Sequence, residues 1–220
     1  MKLTGQRIAL ALTALAVVTV FALVLLAPRI QANKIALLGR GDYVLQRTDG
    51  GTFTEETLQQ GPSAVFFGFT HCPDVCPTTM GEIALWKDEV PGAADLPVYF
   101  VSVDPQRDTL DLLGDYTGWV PGVTGVTGSL GEAAKAVKSF DIYARRMDLI
   151  GGGYTMAHTA YVMLFDADGL FVETIPYQAP PEVAAEKLAN LLAGNPAGRG
   201  AQMPDDLLGV ICYTVQGKLI

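Results

Sequence analysis

The chain has 220 residues, half of them hydrophobic, and a formal net charge of −8 at neutral pH. That length suits one well-cored domain with appendages and argues against two full domains. Residues 35–220 hold 11 Lys and Arg against all 23 Asp and Glu, a net −12 with no basic run, so electrostatics give no support to nucleic-acid binding.

The first predicted element is an uncharged run of 20 residues, 8–27, long enough to cross the hydrocarbon core of a bilayer as a helix. It exceeds the apolar core of a cleaved signal peptide, about 7–15 residues, and Ala27 leads straight into Pro28-Arg29 with no small-x-small cleavage site. An uncleaved single-pass anchor is therefore favoured. Its short N-terminal side stays in the cytoplasm and the rest of the chain is exported. The brief basic start is unlike an Arg- and Ser-rich organelle presequence, so a bacterial inner membrane with the domain in the periplasm is expected. The expected organisation is an anchor and linker over 1–34, with linker character continuing to about residue 40. A globular domain over 35–195 and a tail of unknown role over 196–220 complete it.

Within the domain, residues 43–46, Gly50-Gly51 and Phe53 predict a short hairpin. Residues 64–69 are a continuous apolar run, as in a buried central strand. Two cysteines follow, then a helix over 78–89 with Pro77 suited to its first turn. A second buried strand covers 97–103. Asp108 is expected to cap a helix reaching about Tyr116. Ser129, with Glu132 three residues on, gives a capping-box start to a helix over 129–140. Strands 161–165 and 170–174 are joined by Asp166-Ala167-Asp168-Gly169, a hairpin signal, and a helix over 181–193 closes the domain. This order predicts an α/β fold whose central mixed sheet is parallel at its start, antiparallel at its end and flanked by helices on both faces. The cysteines then lie at the carboxyl end of the first central strand, where open α/β sheets carry their chemistry.

The most informative stretch is Phe69-Thr70-His71-Cys72-Pro73-Asp74-Val75-Cys76-Pro77. Two thiols at this separation can close a disulfide or grip one soft metal ion. Residues four apart on a helix lie about 5–6 Å apart, within the range of about 4.4–6.8 Å that a disulfide tolerates between Cα atoms. Pro73 and Pro77 forbid a regular helix through the motif, so an irregular loop with Cys76 near a helix N-cap is expected. There the helix dipole and free N–H groups favour thiolate. Cys212 reads as an unrelated thiol, and three cysteines are too few for a disulfide-stapled scaffold. A brace closing so short a loop would also gain little.

Of the two histidines, His71 is read as a loop residue held by backbone contacts, although it adjoins Cys72 and could tune or ligate. His158 follows Gly151-Gly152-Gly153, a flexible approach, and precedes a strand expected near the first one. A lone histidine is more often structural, but two thiolates and one imidazole would suit Cu(I), whereas zinc asks for a fourth ligand or a water. For Asp74, Asp104 and Asp108 structural roles are favoured over outer ligation, and Arg145 and Arg146 read as solvated.

At these residues the chain resembles the Sco/SenC family of copper-binding, thioredoxin-like proteins. Gly-Phe-Thr-His-Cys-Pro-Asp-Val-Cys-Pro (68–77) reads as its signature, and Val-Asp-Pro-Gln-Arg-Asp-Thr (103–109) as its second motif. Gly125-Val126-Thr127-Gly128 and His158-Thr159-Ala160 are similar to two more. The resemblance covers about residues 40–193 and implies a thioredoxin-like fold, with Cys72, Cys76 and His158 as ligands of copper, as Cu(I), Cu(II) or both. It implies a metallochaperone for the dinuclear copper site of cytochrome c oxidase subunit II, or a protein that keeps that subunit's cysteines reduced. A periplasmic copper donor and a thioredoxin-like reductant would be further partners.

The competing class is a thiol–disulfide oxidoreductase, thiol peroxidase or redox sensor acting through Cys72 and Cys76. The Cys-x-x-x-Cys spacing is one residue longer than the usual redox motif. Residues 154–160, expected as a loop, also lack the proline that thioredoxins place there and offer His158 instead. A turnover enzyme is therefore not the favoured reading.

Overall fold

The computed structural model describes residues 2–195; Cys212 and the expected tail lie outside the described residues. The chain divides into two units, the first Met1–Ala36 and the second beginning at Leu37. The first contains one helix, α1 (Lys2–Ala36), in which Leu10–Ala27 is long and apolar enough to cross a membrane. The helix does not stop at Pro28, as a linker from that point would require. A proline costs local hydrogen bonding and tends to kink a helix, but the Arg, Gln, Ala and Lys residues that follow are strong helix formers and contain no glycine.

The second unit opens with the expected hairpin, β1 (Leu45–Arg47) and β2 (Thr52–Phe53). Then come β3 (Ser63–Gly68), α2 (Val75–Glu89), β4 (Val98–Ser102), α3 (Leu110–Thr117), β5 (Val123–Thr127) and α4 (Leu130–Ser139). A second hairpin, β6 (Ala144–Asp148) and β7 (Tyr154–His158), precedes β8 (Tyr161–Phe165), β9 (Phe171–Pro176) and α5 (Pro181–Leu192). Seven strands form one mixed sheet in the order β2-β1-β5-β4-β3-β8-β9. β3, β4 and β5 run parallel, while β8 and β9 extend the sheet antiparallel from β3. Every residue of β3 is buried, which is why its sequence is apolar without alternation.

Side chains on the two faces of β3 pack separate cores. On one face Phe67 meets Phe140 at a ring separation of 5.1 Å, and Phe140 in turn meets Tyr43, Phe53 and Phe165. On the other, Phe66 meets Phe100 edge-on, and Phe100 meets Tyr116 of α3. Ile83 and Trp86 of α2 and Leu188 of α5 gather around Ala64, Val98 and Val162 on that face. Helices therefore cover both faces, as in thioredoxin-like domains.

β5 had no clear strand signature because Gly125 interrupts it. A Cβ there would lie 2.9 Å from Leu113 Cβ and from Thr48 Cγ2, so the glycine is the space that lets α3 settle on the sheet. Residues 154–158 are strand, not loop. The glycines 151–153, with φ of 102°, 101° and 80°, make the turn that returns β7 onto β6. The cap of α3 is Thr109, whose hydroxyl accepts from Leu112 N at 3.2 Å; Asp108 points inward instead. At α4 the capping box is half made. Ser129 accepts from Glu132 N, but the Glu132 carboxylate reaches across to accept Val44 N at 2.7 Å.

Candidate metal centre

Cys72, Cys76 and His158 come together from a loop, a helix start and a strand end. Their candidate ligand atoms all lie within 4.8 Å of one another, and all three residues are buried. Three local arrangements produce this. First, β3 ends at Gly68, where a Cβ would fall 2.7 Å from the Phe100 ring and 3.0 Å from Cys76 Sγ. Only glycine lets the chain leave the sheet under the thiol. Second, α2 begins at Val75, which puts Cys76 in its first turn and leaves Pro77 no unmet donor. The Cys76 N–H, one of the free donors of that turn, points at Cys72 Sγ at 3.4 Å. Third, β7 carries His158 to 3.5 Å from Cys76 Sγ through Nε2.

The histidine is oriented by its neighbour. His158 Nδ1 lies 2.8 Å from the Thr159 carbonyl, which can only accept, so Nδ1 carries the hydrogen and Nε2 presents its lone pair to the thiols. Phe69 stands edge-on to the imidazole with ring centres 5.7 Å apart, and Phe66 approaches from a second side at 6.5 Å. The result is a buried cluster of two sulfurs and one aimed nitrogen. That donor set fits a soft monovalent cation better than one that demands four hard ligands.

The remaining candidates fall outside this cluster. Asp104 is buried, but one carboxylate oxygen accepts from Tyr154 Oη at 2.9 Å and the other pairs with Arg107, so it is a structural anchor. Asp74 occupies the N-cap position of α2 on the surface, with the Thr78 hydroxyl 3.5 Å from its carboxylate. Asp108 is almost fully buried and accepts from Thr70 N, Thr70 Oγ1 and Ser102 Oγ. Burial pushes its carboxyl above the usual range, and the hydroxyls of Ser102 and Thr70 pull it partly back. His71 is exposed and is held by the Thr70 hydroxyl, 2.9 Å from Nδ1, rather than by backbone. Arg146 is not simply solvated: it lies 3.9 Å from the centre of the Tyr154 ring, and Arg107 lies 3.8 Å from the same centre.

Sequence reasoning missed Thr70, Ser102, Arg107 and Tyr154, which tie the loop, the β4 end and the β6–β7 hairpin together. The only sequence signal was the density of hydrogen-bonding residues in Ser102-Val103-Asp104-Pro105-Gln106-Arg107-Asp108-Thr109.

A mixed sheet flanked by helices, with two cysteines at the strand-to-helix turn and a histidine beside them, defines a thioredoxin-like domain with a candidate Cys-Cys-His metal centre. A family model described as SCO1/SenC matches residues 32–193, and the chain belongs to that family. It is 29% identical over 153 residues to Protein SCO2, mitochondrial, of Saccharomyces cerevisiae, covering 67% of this chain and 51% of the relative. It is 28% identical over 158 residues to a SCO2-like protein of Rickettsia conorii, covering 68% and 75%. The chain spans about half the length of the yeast SCO2 and SCO1 relatives it matches. Among solved structures, Bradyrhizobium japonicum ScoI with copper bound matches at TM-score 0.63 and 37% identity, over 70% of this chain and 99% of that one. Yeast Sco1 with copper bound matches at TM-score 0.63 and 26% identity, over 76% and 91%.

Proposed function

We propose that this protein is a membrane-tethered copper metallochaperone that holds one copper ion through Cys72, Cys76 and His158. The carrying observation is the buried cluster of two sulfurs and one imidazole nitrogen whose tautomer is set for ligation. Copper in the related ScoI and Sco1 structures supports the choice of ion. The copper is cargo. Two thiolates and a neutral imidazole make a three-ligand set, which permits exchange with an acceptor's ligand at Cys72, the member of the cluster that reaches the surface. The acceptor is cytochrome c oxidase subunit II, whose dinuclear copper site would be filled or whose cysteines would be kept reduced. A periplasmic copper donor and a thioredoxin-like reductant would serve the protein itself. The apolar stretch Leu10–Ala27 supports tethering to a membrane; bacterial relatives support a bacterial inner membrane, with the domain proposed to face the periplasm.

The test is copper titration of the reduced full chain in detergent, followed by X-ray absorption. One copper per chain with two sulfur neighbours and one nitrogen is expected. His158→Ala should remove the nitrogen and weaken affinity by about 10–100-fold or more. Cys72 and Cys76 should still close a disulfide in that variant. Absent or weak copper binding by the wild-type chain would instead favour a thiol–disulfide oxidoreductase or redox sensor at the Cys72–Cys76 pair. The proximity of the two sulfurs permits that chemistry, although their burial restricts access by a substrate disulfide.

A further inference from the structure

The cluster is sealed. Cys76 and His158 are 0% exposed and Cys72 5%. A cation delivered by another molecule must therefore pass Cys72, the one member of the three with any surface. The residue before it, His71, has a side chain 47% exposed, and its imidazole is not loose. Asp108, whose side chain is fully buried, accepts the Thr70 N–H and takes the Thr70 hydroxyl hydrogen at 2.6 Å. Its second oxygen accepts the Ser102 hydroxyl hydrogen, and the Ser102 oxygen accepts from Asp104 N. The single hydroxyl hydrogen of Thr70 is thus committed to Asp108. The Thr70 oxygen, 2.9 Å from His71 Nδ1, remains as an acceptor. His71 must then carry its hydrogen on Nδ1 and its lone pair on Nε2. Asp108 Oδ1, 3.8 Å from the same Nδ1, favours that tautomer electrostatically. His158 reaches the same state through the Thr159 carbonyl. Both imidazoles therefore carry an Nε2 lone pair, one inside the cluster and one outside it, on the exposed residue that precedes Cys72 in the chain.

We propose that His71 Nε2 is a transit ligand, which takes Cu(I) from a donor at the surface and passes it to Cys72. The inference rests on the copper-chaperone reading. In the first step a copper–nitrogen bond to His71 forms as one ligand of the donor leaves. In the second, the Cys72 thiol releases its proton to solvent and its sulfur displaces His71. The copper remains Cu(I) throughout, and no electron moves. Asp108 and Thr70 are positioning residues that keep Nε2 available.

The experiment follows Cu(I) loading of the reduced full chain in detergent from a Cu(I)–bicinchoninate complex, by stopped-flow loss of the chelate's colour. His71→Ala should load about tenfold slower while its equilibrium affinity stays within about twofold of wild type. Thr70→Val, which keeps the imidazole but removes its orienting oxygen, should be slowed by a smaller factor. Nitrogen-15 NMR of the copper-free wild type should show His71 with the hydrogen on Nδ1, a preference lost in Thr70→Val. Loading of His71→Ala at the wild-type rate would overturn the proposal, as would an affinity that falls in step with the rate, which would make His71 a ligand of the resident site. Finding the hydrogen on Nε2 in the wild type would overturn it too. Failure of the wild type itself to take Cu(I) would bring down the chaperone reading and this inference with it. Normal loading by both proteins would bring down only the role of His71.

Discussion

His158 Nδ1 donates to the Thr159 carbonyl, and that bond settles both the direction of the ring and the nitrogen that faces the thiols. Gly68 has an equally local role, giving Cys76 Sγ room above the last residue of β3. Gly68→Ala would press a methyl group against Phe100 and the sulfur. A loss of about 1–3 kcal/mol in denaturant unfolding is expected, together with weaker copper binding because Cys76 must shift. Asp108 gathers three donors from two segments in a buried setting. Asp108→Ala would leave those donors without an acceptor, and chemical denaturation should report a loss of about 2–4 kcal/mol.

At the scale of elements, two features hold the motif loop against its surroundings. Thr109 caps α3, so Thr109→Ala should cost about 1 kcal/mol by the same unfolding measurement, clearly less than Asp108→Ala. That ordering separates a cap from a buried acceptor, which proximity in sequence had merged. The second feature is the β6–β7 hairpin that delivers His158. Two guanidinium groups within 4 Å of one ring centre must take opposite faces, so Arg107 and Arg146 sandwich Tyr154 while its hydroxyl donates to Asp104. Arg107 also donates to the Tyr154 carbonyl at 3.0 Å. The hairpin is thereby latched to the loop after β4. Tyr154→Phe should leave the fold intact but raise amide hydrogen exchange across residues 154–158, because a buried carboxylate loses a donor worth about 1.5–3 kcal/mol.

For the whole molecule, the sheet sets both stability and the address of the site. Tyr161, at the start of β8, has its phenol pushed up to about 12 by burial, with a smaller contribution from Asp141. The folded value exceeds the ordinary value of about 10, so the unfolded chain ionises first. The stability that Tyr161 contributes should be intact below pH 10 and lost as pH rises through about 12, seen as a falling thermal midpoint. Tyr161→Phe should flatten that decline. The full chain should fractionate with membranes, and a chain starting at residue 35 should be recovered in the soluble fraction; membrane association of both would remove the anchor from the proposed function.

Much of this was legible because short-range chemistry wrote it. An uncharged 20-residue run has few outcomes, and unbroken Val and Phe at residues 65–67 require burial on both faces of a sheet. A proline directly after each thiol likewise marks a loop running into a helix start. The cysteine pair therefore announced itself, and the family resemblance supplied His158. What sequence could not settle were the contacts between distant segments. Asp108 looked like a cap because capping is local, yet its partners Thr70 and Ser102 come from two other segments. Residues 154–158 looked like a loop because their strand exists only through pairing with residues 144–148. Local chemistry determined the apolar N-terminal helix, the two central strands, the flanking helices and the loop that carries the thiols. Tertiary packing alone decided which carboxylates were consumed as anchors, because a hydrogen-bond partner is fixed by proximity in space and not by spacing along the chain.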